Sequence, residues 1–444
     1  MKKALYLLVL IYLFAGIFVY SAGQSETTEG ALAEKITLHW WWGIPVDKGP
    51  QQTMDAYMKL HPNINMVYTK LGWDAAADAK MTTALMGGEG VDVYSAPRAP
   101  LQKAAQGLAL DLTPFLQRDN IDLVKDLGKD AEGYLLDGKY YGIPMNRSIN
   151  FFFLNMDAFE DSGVELPGED WTILDYKEIA KKLTKGTGPA KRYGAFITAN
   201  WELFWKAITF SYIEPADYFN EDATETRFTD PLMVEALQLY MDMSLKDKSI
   251  PTLAELIAEK YYPNTVYMSE KAAMALVSTY TFRDLKDREK YPHSFKTAFV
   301  SCPLHHKDKK QTKLASMHDV HQINPKSDYI EEGWEFTAWL LRDGFEYLIE
   351  FGRLPAYKGF TADYVSECFT KGYEDILDLD SFYAMYNNDR PISRRLFGPQ
   401  ITESTHIYIQ ESEKALSGQI SAEEAAKRAK ERADQVLTDW NKEH

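Results

Sequence analysis

Aromatic and polar side chains follow short apolar runs at two places near the start of the chain. Trp42 and Gly43 end the first run, and Ser95 and Arg98 follow the run Val91–Tyr94. An aromatic ring offers a flat apolar face, and a guanidinium or hydroxyl group can satisfy a polar ligand by hydrogen bonding. These residue types are therefore suited to binding a small polar molecule.

Motifs that fix a common reaction are not found in the sequence. It contains no Gly-x-Ser-x-Gly nucleophile elbow, no His-Glu-x-x-His zinc motif, no phosphate loop and no Gly-x-Gly-x-x-Gly fingerprint. Paired carboxylates, such as those of glycoside hydrolases, leave no local signature. We therefore expect a binding protein without cofactor or metal, and keep a secreted glycoside-active enzyme as the less favoured alternative.

Composition narrows the class of protein further. The 444 residues carry a formal net charge of −16, which works against nucleic-acid binding because that requires concentrated positive charge. The length favours more than one lobe. Only two cysteines occur, Cys302 and Cys368, so a disulfide framework is excluded, and whether these two pair is left open.

The elements that must position the polar residues alternate between strand and helix. Apolar runs predict strands at Ile36–Trp42, Asn65–Tyr68 and Val91–Tyr94, and helical spacing predicts helices at Pro50–Leu60 and Ala75–Met86. This order predicts an α/β architecture with a mainly parallel sheet. Trp40 and Trp42 should then share one face of the first strand, and Trp41 the other.

Later segments are richer in helix. Helical windows occur at Tyr176–Leu183, Pro231–Leu245 and Leu253–Lys260. A C-terminal amphipathic helix is predicted over Ser421–Trp440, with Ser421 as its N-cap.

The N-terminus has the layout of a secretory signal. Lys2 and Lys3 precede the apolar run Ala4–Tyr20, and the small residues Ser21-Ala22-Gly23 follow it. We predict a cleaved signal peptide over residues 1–23, with an uncleaved membrane anchor as the alternative. Both place the rest of the chain outside the cytoplasm. No cysteine lies near the cleavage region, so a lipoprotein is not expected.

An ordered series of short motifs covers nearly the whole exported chain. The series consists of Trp40-Trp41-Trp42-Gly43, Gly90-Val91-Asp92-Val93, Asp137–Pro144, Phe153–Phe159 with Trp171, Phe228-Thr229-Asp230-Pro231, Ser269–Met274, Gly352–Tyr357 and Ile420–Ala425. In order and interval it resembles the extracellular solute-binding proteins (family 1) of carbohydrate ABC importers, the family that includes maltose-binding protein.

That resemblance implies a two-lobed periplasmic binding protein type II fold. Each lobe is expected to hold a mainly parallel sheet flanked by helices, with the ligand cleft between the lobes. The N-terminal lobe would comprise residues 24–145 plus 320–356, and the C-terminal lobe residues 146–319 plus 357–444. The lobes would be joined by hinges near Met145–Ile149, His318–Val320 and Pro355–Phe360.

The resemblance also implies a set of ligand-binding residues. Tyr280 lies where relatives carry a stacking aromatic, and Trp201 and Trp205 are spaced to share a helix face. The predicted ligand-binding set is Trp42, Gly43, Trp73, Asp74, Ser95, Arg98, Asn146, Arg147, Trp201, Trp205, Tyr280, His318, Asp319 and Arg353.

One segment departs from the family pattern. The run Met317-His318-Asp319-Val320-His321 stands where relatives usually carry glycine or serine. Alternation along an extended segment would put these side chains on opposite sides, so we expect hydrogen bonding to a polar ligand and no metal site. The departure also puts direct transfer of a relative's ligand specificity in doubt.

The function implied is that of an exported, monomeric receptor in the periplasm. It would capture a sugar or oligosaccharide, close around it, and deliver it to the membrane permease subunits of an ABC importer. A receptor of the same fold for iron, a polyamine or a peptide is the alternative. The tyrosine pairs Tyr140-Tyr141 and Tyr261-Tyr262 are the residues that raise iron as a possibility.

Overall fold

The structure is a computed structural model that describes residues 35–88, 90–96, 100–197, 219–220, 222–305, 307, 315–387 and 399–443. The strands in these ranges are β1 Ile36–Trp42, β2 Ile64–Lys70, β3 Val93–Ser95, β4 Leu135–Leu136, β5 Lys139–Tyr140, β6 Ile143–Asn155, β7 Tyr193–Phe196, β8 Ala272–Ser278, β9 Thr297–Ser301, β10 Ala315–Ile323 and β11 Leu354–Pro355.

Helices connect and cover these strands. They are α1 Pro50–Leu60, α2 Ala75–Gly87, α3 Pro100–Ala105, α4 Thr113–Arg118, α5 Leu123–Leu127, α6 Met156–Ser162, α7 Ile173–Leu183, α8 Pro231–Met241, α9 Leu253–Glu259, α10 Pro263–Met268, α11 Phe282–Lys286, α12 Ile330–Trp339, α13 Glu346–Ile349, α14 Ala362–Thr370, α15 Leu379–Tyr386, α16 Pro399–Leu416 and α17 Ala422–Glu443. The α/β architecture predicted from the sequence is confirmed.

The sheet is mixed. Strands run in the order β2-β1-β3-β10-β6-β8-β7, and β9 and β11 also pair with β6. β1 is parallel to β2 and β3, and β7 is parallel to β8, as the alternating pattern predicts. β10 and β6 join the two groups through antiparallel pairs, β3 with β10, β10 with β6, and β6 with β8.

The 13-residue strand β6 belongs to two groups of strands. Its first half pairs with β10 and β11, and its second half pairs with β8 and β9. Side chains alternate across it as in any strand. Phe153 packs against Phe282 and Phe299 on one face, whereas Phe152 packs against Trp171 on the other. One strand is thus held in two separate apolar cores.

Predicted elements agree closely with those observed. β1 and α1 have the predicted bounds, α2 ends one residue later than predicted, and β3 starts at Val93 rather than Val91. Just before β3, the Asp92 amide donates to the His39 carbonyl at 3.1 Å, and the Asp92 carboxylate accepts the His39 amide at 2.7 Å. Ser421 caps α17 as predicted, since its hydroxyl accepts the Glu424 amide at 3.2 Å.

Within the described ranges, no helix combines the length and the apolar character needed to cross a membrane. The predicted signal segment lies outside these ranges.

Candidate functional site

The carboxyl end of β1 carries two neighbouring indoles, tilted by 35° to each other. Trp40 and Trp42 share one face, with ring centroids 5.4 Å apart, and both are fully buried, as the alternation predicts for a shared face. Trp40 donates its indole NH to Nε2 of His321 at 2.9 Å. Nδ1 of His321 lies 3.0 Å from the Asp319 carbonyl. With Nε2 accepting, Nδ1 must be the nitrogen that carries the proton.

Burial sets the charge of this histidine. It lowers the pKa of His321 to about 4, so the imidazole is neutral at physiological pH. Both ring nitrogens are occupied by protein partners. His321 is therefore a fixed structural group that holds Trp40 and the backbone of Asp319 in place.

Asp319 of β10 and Arg353, just before β11, form a buried ion pair next to β6. Arg353 Nη1 lies 3.0 Å from the Asp319 carboxylate, and their side chains are only 12% and 4% exposed. Burial raises the pKa of Asp319, which Arg353 and the nearby indole NH of Trp42 oppose. That NH is not aligned for a hydrogen bond. The pair compensates two charges that would each be costly to bury alone.

The backbone of Asp319 is also unusual. Its φ is 52°, in the left-handed region that favours glycine. His318 is opposite Asn146 and Val320 is opposite Pro144 in the β10–β6 ladder. The left-handed residue therefore occurs where the ladder is interrupted, between two paired residues of β10, and its side chain is turned toward Arg353.

A cluster of side chains surrounds the Asp319–Arg353 ion pair. Tyr280 joins this cluster from the end of β8, which pairs with the second half of β6. It lies in the turn Thr279–Thr281 directly after β8, and its hydroxyl is 3.5 Å from that of Tyr262. This turn packs closely against Gly352, the residue before Arg353. A Cβ on Gly352 would lie only 2.7 Å from the Thr279 carbonyl oxygen. Gly352 also has a φ of 82°. Tyr280 therefore lies close to Arg353.

Trp73 lies over the backbone at the end of β1. A Cβ built on Gly43 would meet Cε2 and Cζ2 of the Trp73 ring at 2.3 Å, so only glycine leaves room for the indole. Trp73 is 44% exposed and can still present its ring to a ligand. Asp74 serves as the N-cap of α2, accepting the Ala77 amide at 2.8 Å. Its carboxylate thus has a structural partner.

Asn146, Arg147 and Ser148 do not all lie on one face of β6. Asn146 and Ser148 are two apart and share one face, with the exposed His318 paired opposite Asn146. Both are buried. Arg147 projects from the other face, where its Nη2 donates to the Leu127 carbonyl. The structure therefore does not bring Arg147 together with Asn146.

Ser95 ends β3 and pairs with His321 in the neighbouring strand. It is buried, and its hydroxyl has no hydrogen-bond partner within the described ranges. Arg98, Trp201 and Trp205 of the predicted set lie outside those ranges.

Three residues around the cluster were not in the predicted set. Tyr68 donates its hydroxyl to the Ile44 carbonyl at 2.7 Å, next to the Asp319–Arg353 charges. Tyr262 supports Tyr280, and His321 supports Asp319. The sequence offered a signal only for His321, which stands in the unusual Met-His-Asp-Val-His run. Tyr68 and Tyr262 reach the cluster only through contacts with residues far from them in sequence, which no local pattern predicts.

The arrangement suits binding and shows no metal centre where it is described. No group of three or more histidine, cysteine or carboxylate side chains able to hold a metal ion occurs in the described parts of the chain. Cys302 and Cys368 do not form a disulfide with each other, and the Cys302 thiol donates to the Asn150 carbonyl at 3.6 Å. Aromatic faces and hydrogen-bonding groups converge instead at the strand ends.

Comparison with known proteins supports this picture of the fold. A binding protein of Brucella abortus (strain 2308) is 24% identical over 245 residues, which are 53% of this chain and 56% of that protein. The chain thus spans about half the length of the curated relatives it first matches.

Solved structures match over much more of the chain. An ABC substrate-binding protein of Listeria monocytogenes in complex with cycloalternan has a TM-score of 0.73 at 21% identity, covering 91% of this chain and 100% of that one. A sugar transporter structure from Rhizobium etli, in an open conformation, has a TM-score of 0.71 at 21% identity and covers 90% and 99%. This likeness shows the two-lobed periplasmic binding protein fold.

The family model described as bacterial extracellular solute-binding protein matches residues 44–345. That range starts just after β1 and runs past β10, so it includes Trp73, Tyr280 and Asp319 but not Trp42, Gly43 or Arg353. The chain belongs to the bacterial extracellular solute-binding protein family.

Proposed function

We propose that this protein is an exported receptor that captures a sugar or oligosaccharide between its two lobes. It closes around the ligand and delivers it to the permease subunits of an ABC importer. The observation that carries the proposal is the exposed indole of Trp73, seated on Gly43 at the strand ends next to Trp42. An aromatic platform beside hydrogen-bonding groups is the arrangement that a sugar requires.

The chemistry of a sugar explains why both kinds of group are needed. Its C–H face is apolar and stacks on aromatic rings, whereas each hydroxyl buried without a partner costs roughly 1–3 kcal/mol. Tyr280, Asn146 and Ser95 supply hydroxyl and amide groups around the crossing strands. Structures of similar fold include proteins described as bound to cycloalternan and to maltose, which supports the same ligand class.

The lobes we propose are residues 24–145 plus 320–356, and 146–319 plus 357–444. The pairing of β6 supports a division within this strand, because its partners change from β10 and β11 to β8 and β9 between Ile149 and Asn150, four residues after the proposed boundary. The segments that cross between lobes are then adjacent strands. A ligand that touches both lobes would stabilise the closed state by its differential affinity.

Export completes the proposal. Residues 1–23 would act as a cleaved signal peptide, leaving a receptor that is monomeric and free in the periplasm. The family is extracellular, and a receptor outside the cytoplasmic membrane can present its ligand to an importer. Binding without chemical change is the activity proposed.

The proposal predicts saturable binding of a neutral sugar. We expect at least one member of a panel of mono- and oligosaccharides to quench or shift tryptophan fluorescence, with heat released in calorimetry. Trp73→Ala and Tyr280→Ala should each weaken that sugar on the order of tenfold, because a stacked ring contributes about 1 kcal/mol beyond its buried area. Gly43→Ala should weaken binding similarly by displacing Trp73.

Tyr364→Ala is the matched control, because Tyr364 is an exposed aromatic on α14. It should bind as the unchanged protein does. A folded protein that responds to no sugar would overturn the proposal. Colour on adding ferric citrate would favour an iron receptor, and release of product from an oligosaccharide would favour an enzyme.

A further inference from the structure

Arg147 differs from the other buried cations. Lys103 lies 2.8 Å from the Asp78 carboxylate, and Arg353 lies 3.0 Å from that of Asp319. The half-buried guanidinium of Arg147 has no carboxylate at ion-pairing distance in the described ranges. Its Nη2 donates only to the Leu127 carbonyl, and its buried Nε has no hydrogen-bond partner there.

A second cation approaches the same point. A Cβ built on Gly128 would lie 3.4 Å from Nη2 of Arg147 and 3.4 Å from Nζ of Lys358. Gly128 has a φ of 113°, so its backbone conformation also favours glycine. Lys358 makes no ion pair within the described ranges either. The guanidinium of Arg147 and the ammonium of Lys358 therefore both lie next to Gly128, where no side chain separates them.

The local charge does not cancel. Asp130 is the carboxylate that both cations influence, and burial raises its pKa while Arg147 and Lys358 oppose that rise. Asp126, the next nearest acid on this loop, already pairs with Arg342 at 3.3 Å. Even with Asp130 ionised, Arg147 and Lys358 leave one positive charge in excess. Lys358 is exposed to solvent whereas Arg147 is half-buried, so the guanidinium is the cation whose charge water solvates only in part.

We propose that Arg147 and Lys358 bind a small monovalent anion beside Gly128. Chloride and a small carboxylate share the chemistry required, which is one negative charge and acceptors for guanidinium and ammonium donors. The site lies on the face of β6 opposite Asn146 and Ser148, so it is separate from the proposed sugar site and does not depend on it.

The anion would join segments that meet at the crossing strands. Arg147 belongs to β6, Gly128 follows α5, and Lys358 follows β11. The hydroxyl-bearing ring of Tyr386 on α15 also lies near Arg147. An anion held here would neutralise the excess charge and tie these segments together.

The test is thermal unfolding of the full chain at constant ionic strength. Chloride, nitrate and acetate would each replace the bulky HEPES anion in steps. We expect saturable rises in Tm, as for any ligand that binds only the folded state, for at least one of these anions. Lys358→Met and Arg147→Lys should reduce or abolish the rise. Lys59→Met, an exposed lysine on α1, is the matched control and should keep it.

Asp130→Asn separates this proposal from a direct Arg147–Asp130 pair. If an anion is the partner, removing the competing carboxylate should tighten anion binding severalfold, seen as saturation at lower concentration. Destabilisation of Asp130→Asn that no anion reverses would overturn the proposal. Equal Tm rises in Lys358→Met and the unchanged protein would also overturn it, since the salts would then act on the whole surface.

Discussion

At the scale of single residues, the polar side chains of the run Met317–His321 have different environments and different roles. Its two histidines have different environments: His318 is exposed and His321 is fully buried with both ring nitrogens engaged. Asp319 lies between them in a left-handed conformation and turns its carboxylate to Arg353. The polar residues of the run therefore serve structure and charge compensation before they serve a ligand.

The buried histidine should make stability depend on pH. The pKa of His321 is about 4 in the folded protein and 6.5 in the unfolded chain. The unfolded chain therefore binds more protons between these values, and stability falls as pH drops from 6.5 to 4. The full effect of this group is about 3 kcal/mol.

Urea unfolding at pH 7 and pH 4.5 measures this effect. We expect His321→Gln to lose part of the acid sensitivity, because glutamine can accept and donate but does not titrate. His318→Gln, at the exposed neighbour, should keep it. Identical pH dependence in His321→Gln and the unchanged protein would show that His321 does not contribute.

At the scale of elements, close packing depends on one glycine. β7 approaches α7 so closely that a Cβ on Gly194 would lie 1.7 Å from the Ala180 carbonyl. The clash would be with helix backbone, which cannot move aside as a flexible side chain can. The contact fixes α7 against the β7–β8 pair, directly before the strand end that leads to the Trp201 segment.

Gly194→Ala should therefore destabilise the protein. We expect a loss on the order of 1–3 kcal/mol, the typical cost of an overpacked core that must shift backbone. Gly87→Ala at the end of α2 is the control, because a Cβ there meets nothing within 4 Å. Denaturant midpoints compare the two. A Gly194→Ala protein as stable as Gly87→Ala would contradict this packing.

At the scale of the whole molecule, we expect the long strand β6 and its neighbours to determine how the proposed lobes move. β10 and β11 flank its first half, so the crossing segments are hydrogen-bonded to each other rather than independent. Motion between lobes should then be a concerted bend of adjacent strands, as in hinge closure around a ligand.

Closure is measurable in solution. X-ray scattering of the full protein should show a smaller radius of gyration when the sugar identified by calorimetry is saturating. Tyr280→Ala at the same sugar concentration should show a smaller fraction of closed molecules, because its affinity is lower. Calorimetric binding without any change in the radius would contradict closure by this hinge.

The sequence by itself determined the family, the order of elements and much of the local chemistry. The bounds of β1 and α1, the shared face of Trp40 and Trp42, and the Ser421 cap all follow from periodicity and capping preference, which act over a few residues. The ordered motifs predicted the two-lobed fold through their resemblance to a family, because the motifs extend from Trp40 to Ala425.

Only the tertiary structure decided which polar groups already have partners. Asp74 caps a helix, Asp319 pairs with Arg353, and Arg147 faces away from Asn146. Such assignments depend on contacts between residues far apart in sequence and on which face each strand presents after pairing. Periodicity shows which side chains share a face, but which group lies against that face is decided by packing.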